Sequence, residues 1–450
     1  MTEASVRVGA RIGAQVAGWR ERALEALRAK WFVPAVLVLA LAMRLVVAVL
    51  WPLDPVSDAA WYAKRAMEIA EGLGYQEGGH PTAYWPVGWP LILAGLYKLT
   101  GSVWAAVVTA GLAATAVVVS ALLWMGRVVL GSTEAGRLAA LLYALYPNDV
   151  LYTGQALSEL TYTALAMLGI VLALHALRRA APGSALGAGA VFGMASLVKA
   201  QTLAFPVVLL AAARLAGWGE RRWSRFAMVA AALYLALAVV VAPWTLRNME
   251  LLGAPVIVST NGGIALLQGA NDHMTGRHME GLAKRLEGET GVPWNERVAR
   301  QVELDRRLRE MAVEWIRAHP LEYLAWMPRN AFYLWERATS GFWAFELQYG
   351  GGMALRAVKI ANNVYYFVIL GLSAVGLWWS IRRREARALL VVFAMPAFVT
   401  LLAAVFTGQP RYHFPAMPLL VLAAAWTLLR PVTIGSRMPP HGGAGAGEAA

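Results

Sequence analysis

Residues 33–51 read VPAVLVLALAMRLVVAVLW, an unbroken apolar run whose one charge is Arg44. A strand of a membrane barrel would alternate apolar and polar residues over about ten positions. This run does not alternate, is rich in Leu, Ala and Val, and is long enough to cross a hydrocarbon core of about 30 Å as a helix. It follows some thirty residues of basic, helix-favouring sequence and carries no small-residue cleavage site, so it reads as a retained anchor rather than a signal peptide. Residues 1–30 then form an amphipathic segment along the cytoplasmic surface.

Runs of the same kind recur along nearly all 450 residues. They predict spans near 33–51, 103–126, 135–152, 160–177, 184–199, 202–216, 226–245, 360–380, 388–406 and 412–429, about ten, within a range of nine to thirteen. Composition agrees: 59% of residues are hydrophobic and 15% charged, with a mean hydropathy of +0.52, against roughly 25% charged in a soluble domain. The fold class is an all-α integral membrane protein, a polytopic helical bundle with helices in its outer loops. The net charge of +13 does not signal nucleic acid, because Lys and Arg fall in short clusters between apolar runs, as topology signals do. Zero cysteines exclude disulfides and Cys-ligated metal.

Threading from a cytoplasmic N-terminus puts every strong basic cluster inside: Arg127 and Arg137, Arg178 and Arg179, residues 214–225, residues 382–387, and Arg430 with Arg437. Residues 88–99 are apolar but too short to cross and are placed as a re-entrant or interfacial helix of the first outer loop. The expected organisation is a transmembrane bundle over 31–247 with a first outer loop at 52–102. A small non-cytoplasmic loop domain follows over 248–358, then C-terminal spans over 359–430 and a disordered tail over 431–450. Within the loop domain, residues 301–319 have helical charge patterning.

The first outer loop carries SDAAWYAKRAMEIAEGLGY (57–75) and HPTAYWPVGWPLILAGLY (80–97). Asp58 lies within about one turn of the membrane exit, where a carboxylate serves as a base or metal ligand; its position equally suits a cap for the helix beginning at Ala59. Lys199, Arg247 and Arg411 sit at predicted outer ends, against the inside bias of the other clusters, and Arg44 lies in the outer half of the first span. Snorkelling to headgroup phosphates would account for each; binding of an anionic lipid phosphate would as well. An Arg inside a span costs about 2.5 to 3.5 kcal/mol on insertion scales, so Arg44 needs a partner or a wet cavity. The stretch STNGGIALLQGAND (259–272) is rich in residues that make tight turns, and its Asn261 and Asn271 carry amides that serve such turns or a polar ligand.

The first-loop Asp and the following aromatic stretch resemble the lipid-linked-sugar glycosyltransferases of the GT-C superfamily, in the branch of protein O-mannosyltransferases and the lipid A aminoarabinose transferase. Four further segments fit in the same order: YPNDVLYTGQALSE (146–159), GMASLVKAQTLAFP (193–206), APWTLRNMELLGAPVIVSTNGGIALLQGAND (242–272) and GQPRYHFPAMPLL (408–420). The match runs from about Arg44 to Leu420. One departure is the absence of an Asp-Glu pair at Asp58, which counts against a protein acceptor.

The resemblance implies a GT-C-like bundle and an enzyme that transfers a hexose or pentose from a polyprenyl-phosphate donor. The acceptor would be a hydroxyl of an envelope lipid, glycan or protein, on the outer face of the cell membrane, and the reaction would invert the anomeric centre. It assigns catalysis to Asp58 and Glu159, and the donor phosphate to Lys199, Arg247, Arg411 and Arg44. Substrate contacts would come from Tyr62, His80, Tyr84, Trp85, Gln201, Asn261, Asn271, Tyr412 and His413, although a histidine beside Tyr412 also suits interfacial packing. A divalent metal ion, if one takes part, would fall to Asp58 and Glu159. A transporter or flippase of a lipid-linked sugar is the alternative, against which the lack of paired inverted repeats counts.

Overall fold

The computed structural model describes residues 18, 20–219, 222–279, 281–383 and 387–430. The tail at 431–450, Arg437, and residues 1–17 of the N-terminal segment lie outside the described residues. In chain order the principal helices are α1 Phe32–Leu50, α2 Asp58–Ala70, α3 Gly88–Thr100, α4 Val103–Val128, α5 Thr133–Ala144, α6 Pro147–Tyr152, α7 Glu159–Arg179, α8 Pro182–Val198, α9 Phe205–Leu215 and α10 Trp223–Leu252. A loop region then carries α11 Gly262–Gln268, α12 Gln301–Ala318, α13 Pro320–Trp335 and α14 Trp343–Tyr349. The chain closes with α15 Met353–Arg382, α16 Leu389–Val392, α17 Ala394–Val405, a 3-10 segment at Pro410–Ala416, and α18 Met417–Leu429.

Among the described residues, α1, α4, α7, α10, α15 and the Pro410–Leu429 segment are long and apolar enough to cross a membrane, and α8, α9 and α17 are shorter apolar helices. Every expected span has a helical counterpart, but the one expected at 388–406 is divided into α16 and α17, and the one expected at 135–152 is likewise two helices. Pro147 begins the second of them; lacking an N–H, it cannot continue the ladder of α5 and biases the residue before it away from helical angles. The short run at 88–99 is indeed a helix too short to span, α3. Its Gly88 docks against the end of α8, where a Cβ would come within 2.6 Å of the Leu197 carbonyl.

With lipid tails as apolar as leucine, helices in a bilayer associate through close packing at small residues. The bundle uses this repeatedly: Gly126 of α4 meets Gly136 of α5 backbone to backbone, and Gly189 of α8 lies on the Leu233 carbonyl of α10. Gly193, one turn on, would drive a Cβ to 2.7 Å from that of Val240. Gly189→Val is therefore expected to cost about 1 to 3 kcal/mol, read as a lower melting temperature in detergent with unchanged helix content. Helix α18 is buried from Met417 to Thr427 and forms the centre of the bundle. The outward faces of α1, α10 and α15 expose Val38, Val46, Leu235, Val239, Ile360 and Val364 to the lipid.

The two ends of the bundle differ in chemistry. At one end Arg28 pairs with Glu134 at 2.7 Å, Arg137 donates to the Leu27 carbonyl, Arg20 to that of Leu429, and Arg178 lies over Trp218. This gathers the basic clusters expected on one side. The other end holds α2, α3, a two-stranded hairpin pairing Gln76 with Pro81 and Glu77 with His80, and the loop helices α11 to α14. Helix α12 follows the charge pattern expected for it, with Arg309 and Asp305 paired one turn apart at 2.6 Å.

Candidate active site

Asp58 is the first residue of α2 and the acid of its first turn, after an N-cap position, Ser57, that makes no side-chain cap bond. Asp58 Oδ2 accepts a hydrogen bond from Arg411 Nη1 at 2.7 Å, across 353 positions of chain. The residue before it, Ser57, has φ +51° and ψ −125°, a backbone state that costs a non-glycine residue about 1 to 3 kcal/mol and is found where a site holds a side chain in place. Of the two local readings of Asp58, the structure therefore favours a presented carboxylate over a cap.

A second pair lies beside the first. Glu159 opens α7 at this end of the bundle; α7 runs away from it, and α8 returns to place Lys199 alongside. Lys199 Nζ stands 3.3 Å from Glu159 Oε1. Asp58 and Glu159 both act electrostatically on Arg411, which makes the two pairs neighbours at this end of the bundle. Tyr62, one turn into α2, feels both acids: burial first, then the charges of Glu159 and Asp58, push its hydroxyl well above the ordinary tyrosine range. That hydroxyl stays protonated and can donate to a sugar but not act as a base. Glu159 Oε2, Arg411 Nε and Gln409 Oε1 are buried without a hydrogen-bond partner, leaving acceptor and cationic donor positions open.

An aromatic wall flanks the pairs. Trp85 packs against Tyr62 at 5.2 Å between ring centres and against Trp61 at 4.7 Å, with Tyr84 beside it at 6.0 Å. Tyr412 is exposed next to Arg411, and Gln201 is exposed in the 3-10 turn after Lys199. His80 is exposed at the hairpin.

Five expected residues are occupied elsewhere. Arg44 is fully buried, its guanidinium bonded to Asp149 at 2.6 Å and to the carbonyls of Ala40, Tyr143 and Ala144; a group so enclosed does not reach a lipid phosphate. Arg247 spends its donors on the carbonyls of Thr82 at 3.0 Å and Tyr75 at 2.8 Å and on Asn248. It stacks over Trp244 and so pins the first loop to the end of α10. His413 is buried, with Nδ1 2.8 Å from the Leu334 carbonyl, between the rings of Trp335 and Tyr366; it is a packed core histidine. Asn271 caps its own loop through Leu267 and His273, and Asn261 accepts from Ser259. Asp149 was not anticipated as a partner for Arg44. The signal was present: an arginine inside a span calls for a counter-charge at the same depth, and Asp149 is the acid within the neighbouring apolar run.

A divalent ion fits this site poorly. Both carboxylates already hold a cation, and among the described residues no three His, Asp or Glu side chains converge to ligate a metal.

No family model and no curated protein matches the chain. Solved structures do. The oligosaccharyltransferase AglB from Archaeoglobus fulgidus, in complex with an inhibitory peptide and a dolichol-phosphate, superposes with a TM-score of 0.51 at 14% identity, over 89% of this chain and 50% of that one. The same enzyme tethered to an acceptor peptide gives 0.52 at 14% identity, over 90% and 50%. ArnT from Cupriavidus metallidurans bound to undecaprenyl phosphate gives 0.41 at 15%, over 88% and 77%. The chain thus spans about half the length of the oligosaccharyltransferase it superposes on. Across that shared length the chain has the fold of that membrane oligosaccharyltransferase.

Proposed function

We propose that this protein is a glycosyltransferase that moves a sugar from a polyprenyl-phosphate donor to an acceptor hydroxyl, with inversion, at the non-cytoplasmic face of the cell membrane. The observation that carries this reading is the pair of contacts Asp58–Arg411 and Glu159–Lys199. Four distant segments deliver two acids and two cations to the end of the bundle opposite the basic clusters. The AglB structure, which holds a dolichol-phosphate, supports a lipid phosphate as the donor's anchor.

In this mechanism the acceptor oxygen attacks the anomeric carbon while Asp58 takes the hydroxyl proton. The bond from that carbon to the phosphate oxygen breaks, and its electron pair leaves with the phosphate. Arg411 and Lys199 stabilise the negative charge that builds there. Glu159 holds Lys199 and offers Oε2 to the acceptor, Tyr62 donates to a sugar oxygen, and Trp85 with Tyr84 packs against the sugar or lipid. The loop region between α10 and α15 shapes the acceptor side, and the substrate roles of His80, Gln201 and Tyr412 belong to this reading.

The direct test is purified protein in detergent with a polyprenyl-phosphate sugar and a glycolipid extract. A glycosidic product supports the enzyme, whereas a flippase gives none where no membrane separates two sides. Glu159→Gln keeps the side chain's shape and removes its charge; kcat is expected to fall about tenfold to a hundredfold, measured as transfer of radiolabelled sugar. Sidedness is open to a clean labelling test because the chain has no cysteine. His80→Cys should react with an impermeant maleimide on intact cells, and Gly183→Cys, at the basic end, only after permeabilisation. The reverse pattern would invert the topology and remove the proposed site from the outer face.

A further inference from the structure

The transferase mechanism leaves unused a buried ion pair, and the geometry points to a task for it. Arg44 and Asp149 are 0% and 1% exposed at the side chain. Building such a pair in an apolar interior gains little stability over a well-packed apolar replacement, so its value lies in the register it imposes. Asp149 sits in α6, a helix of six residues that cannot hold its place alone.

Around it every anchor converges on this short helix. The Asn148 N–H donates to Asn362 Oδ1 at 3.1 Å, and the Gly341 N–H donates to Asn148 Oδ1 at 2.9 Å. Gln155 Nε2 donates to the Gly341 carbonyl at 2.8 Å. A Cβ on residue 341 would stand 2.7 Å from the Asn148 carbonyl oxygen and 3.0 Å from the Tyr152 ring, so only glycine permits this approach. Two connections lead from α6 to the site. The Tyr152 ring packs on Phe414 at 4.5 Å, three positions from Arg411, and the short segment after Tyr152, held by Trp89 on the Ala156 carbonyl at 2.9 Å, ends at Glu159.

We propose that Arg44 and Asp149 are positioning residues: together they set the register of α6 and thereby hold Glu159 and Arg411 at transfer distance. This rests on the transferase reading. In that role the pair touches no substrate, so its loss should lower kcat and leave the donor KM unchanged, since misplacement by about 1 Å costs on the order of a hundredfold in rate.

The test uses two variants of the full chain in detergent, read by donor-dependent kinetics and by hydrogen exchange over residues 147–158. Arg44→Met with Asp149→Leu removes both charges, avoiding a lone buried ion; Gly341→Ala displaces α6 sterically and leaves the pair intact. Both are expected to lose about a hundredfold in kcat at constant donor KM, with faster exchange in 147–158 and unchanged exchange in α18. Arg44→Lys, which keeps the charge, should recover part of the rate in an otherwise wild-type chain relative to the double variant. A folded double variant with wild-type kcat, or with 147–158 protected as before, overturns the proposal. If the double variant does not fold, the same two results from Gly341→Ala overturn it. Exchange requires no turnover, so a wild-type chain that transfers no sugar defeats the transferase reading, while the link between the pair and α6 is still decided by exchange.

Discussion

Asp58→Asn is expected to reduce sugar transfer by about a hundredfold to ten-thousandfold, the range a positioned general base supplies, without loss of folded protein. The second half follows from geometry. The N-cap position of α2 is Ser57 rather than Asp58, and the Asp58 carboxylate accepts its hydrogen bond from Arg411. Asparagine keeps an oxygen for that guanidinium while losing the basic lone pairs that accept a proton. The protein should therefore elute as a single species in detergent with wild-type helix content, and the donor KM should change little. Retention of full turnover by a folded Asp58→Asn protein would remove Asp58 from the mechanism.

Arg411→Met is expected to have the next largest effect, about a hundredfold to a thousandfold in kcat, the magnitude measured when one donor to a developing anion is removed. Arg411 combines two properties that Lys199 and Arg247 lack. It is hydrogen-bonded to Asp58 and it retains a buried, unpartnered Nε, so in the proposed mechanism one guanidinium addresses the base and the leaving phosphate together. Lysine in its place keeps the charge but not the planar fork, and Arg411→Lys should fall between the wild type and Arg411→Met. Because base and cation act on one event, the Asp58→Asn, Arg411→Met double variant should be little slower than Asp58→Asn alone. Fully additive losses would mean that the two residues serve separate steps. The comparison with Arg247 is a useful control: its donors are spent on the Tyr75 and Thr82 carbonyls, so Arg247→Met should loosen the first loop and lower the melting temperature.

The membrane class, the placement of the apolar helices and the end of the bundle at which the acids gather were legible in the order of residues, although among the described residues six of the ten expected spans are helices long and apolar enough to cross. Uninterrupted apolar runs admit one backbone solution in lipid, and the basic clusters mark alternate turns. The break at Pro147 was legible too, in the chemistry of proline, although hydropathy alone merged α5 and α6 into one run. Asp58, Glu159, Lys199 and Arg411 could be nominated as acids and cations at one end, but not paired.

Pairing is where chain order ceases to inform, because it depends on which of several ionic groups at one depth come within about 3 Å of each other. Asp58 had two local readings, cap or presented carboxylate, and only the contact with Arg411 across the whole chain separates them. Arg44, Arg247 and His413 carried the same formal credentials as Arg411 and lie at the wrong depth or have their donors already bonded. The sequence by itself determined that this chain is a helical bundle in a membrane, since hydropathy is summed over many residues and survives small errors. Only the tertiary structure decided which charges pair with which, since that choice turns on distances of a few ångströms between residues up to hundreds of positions apart.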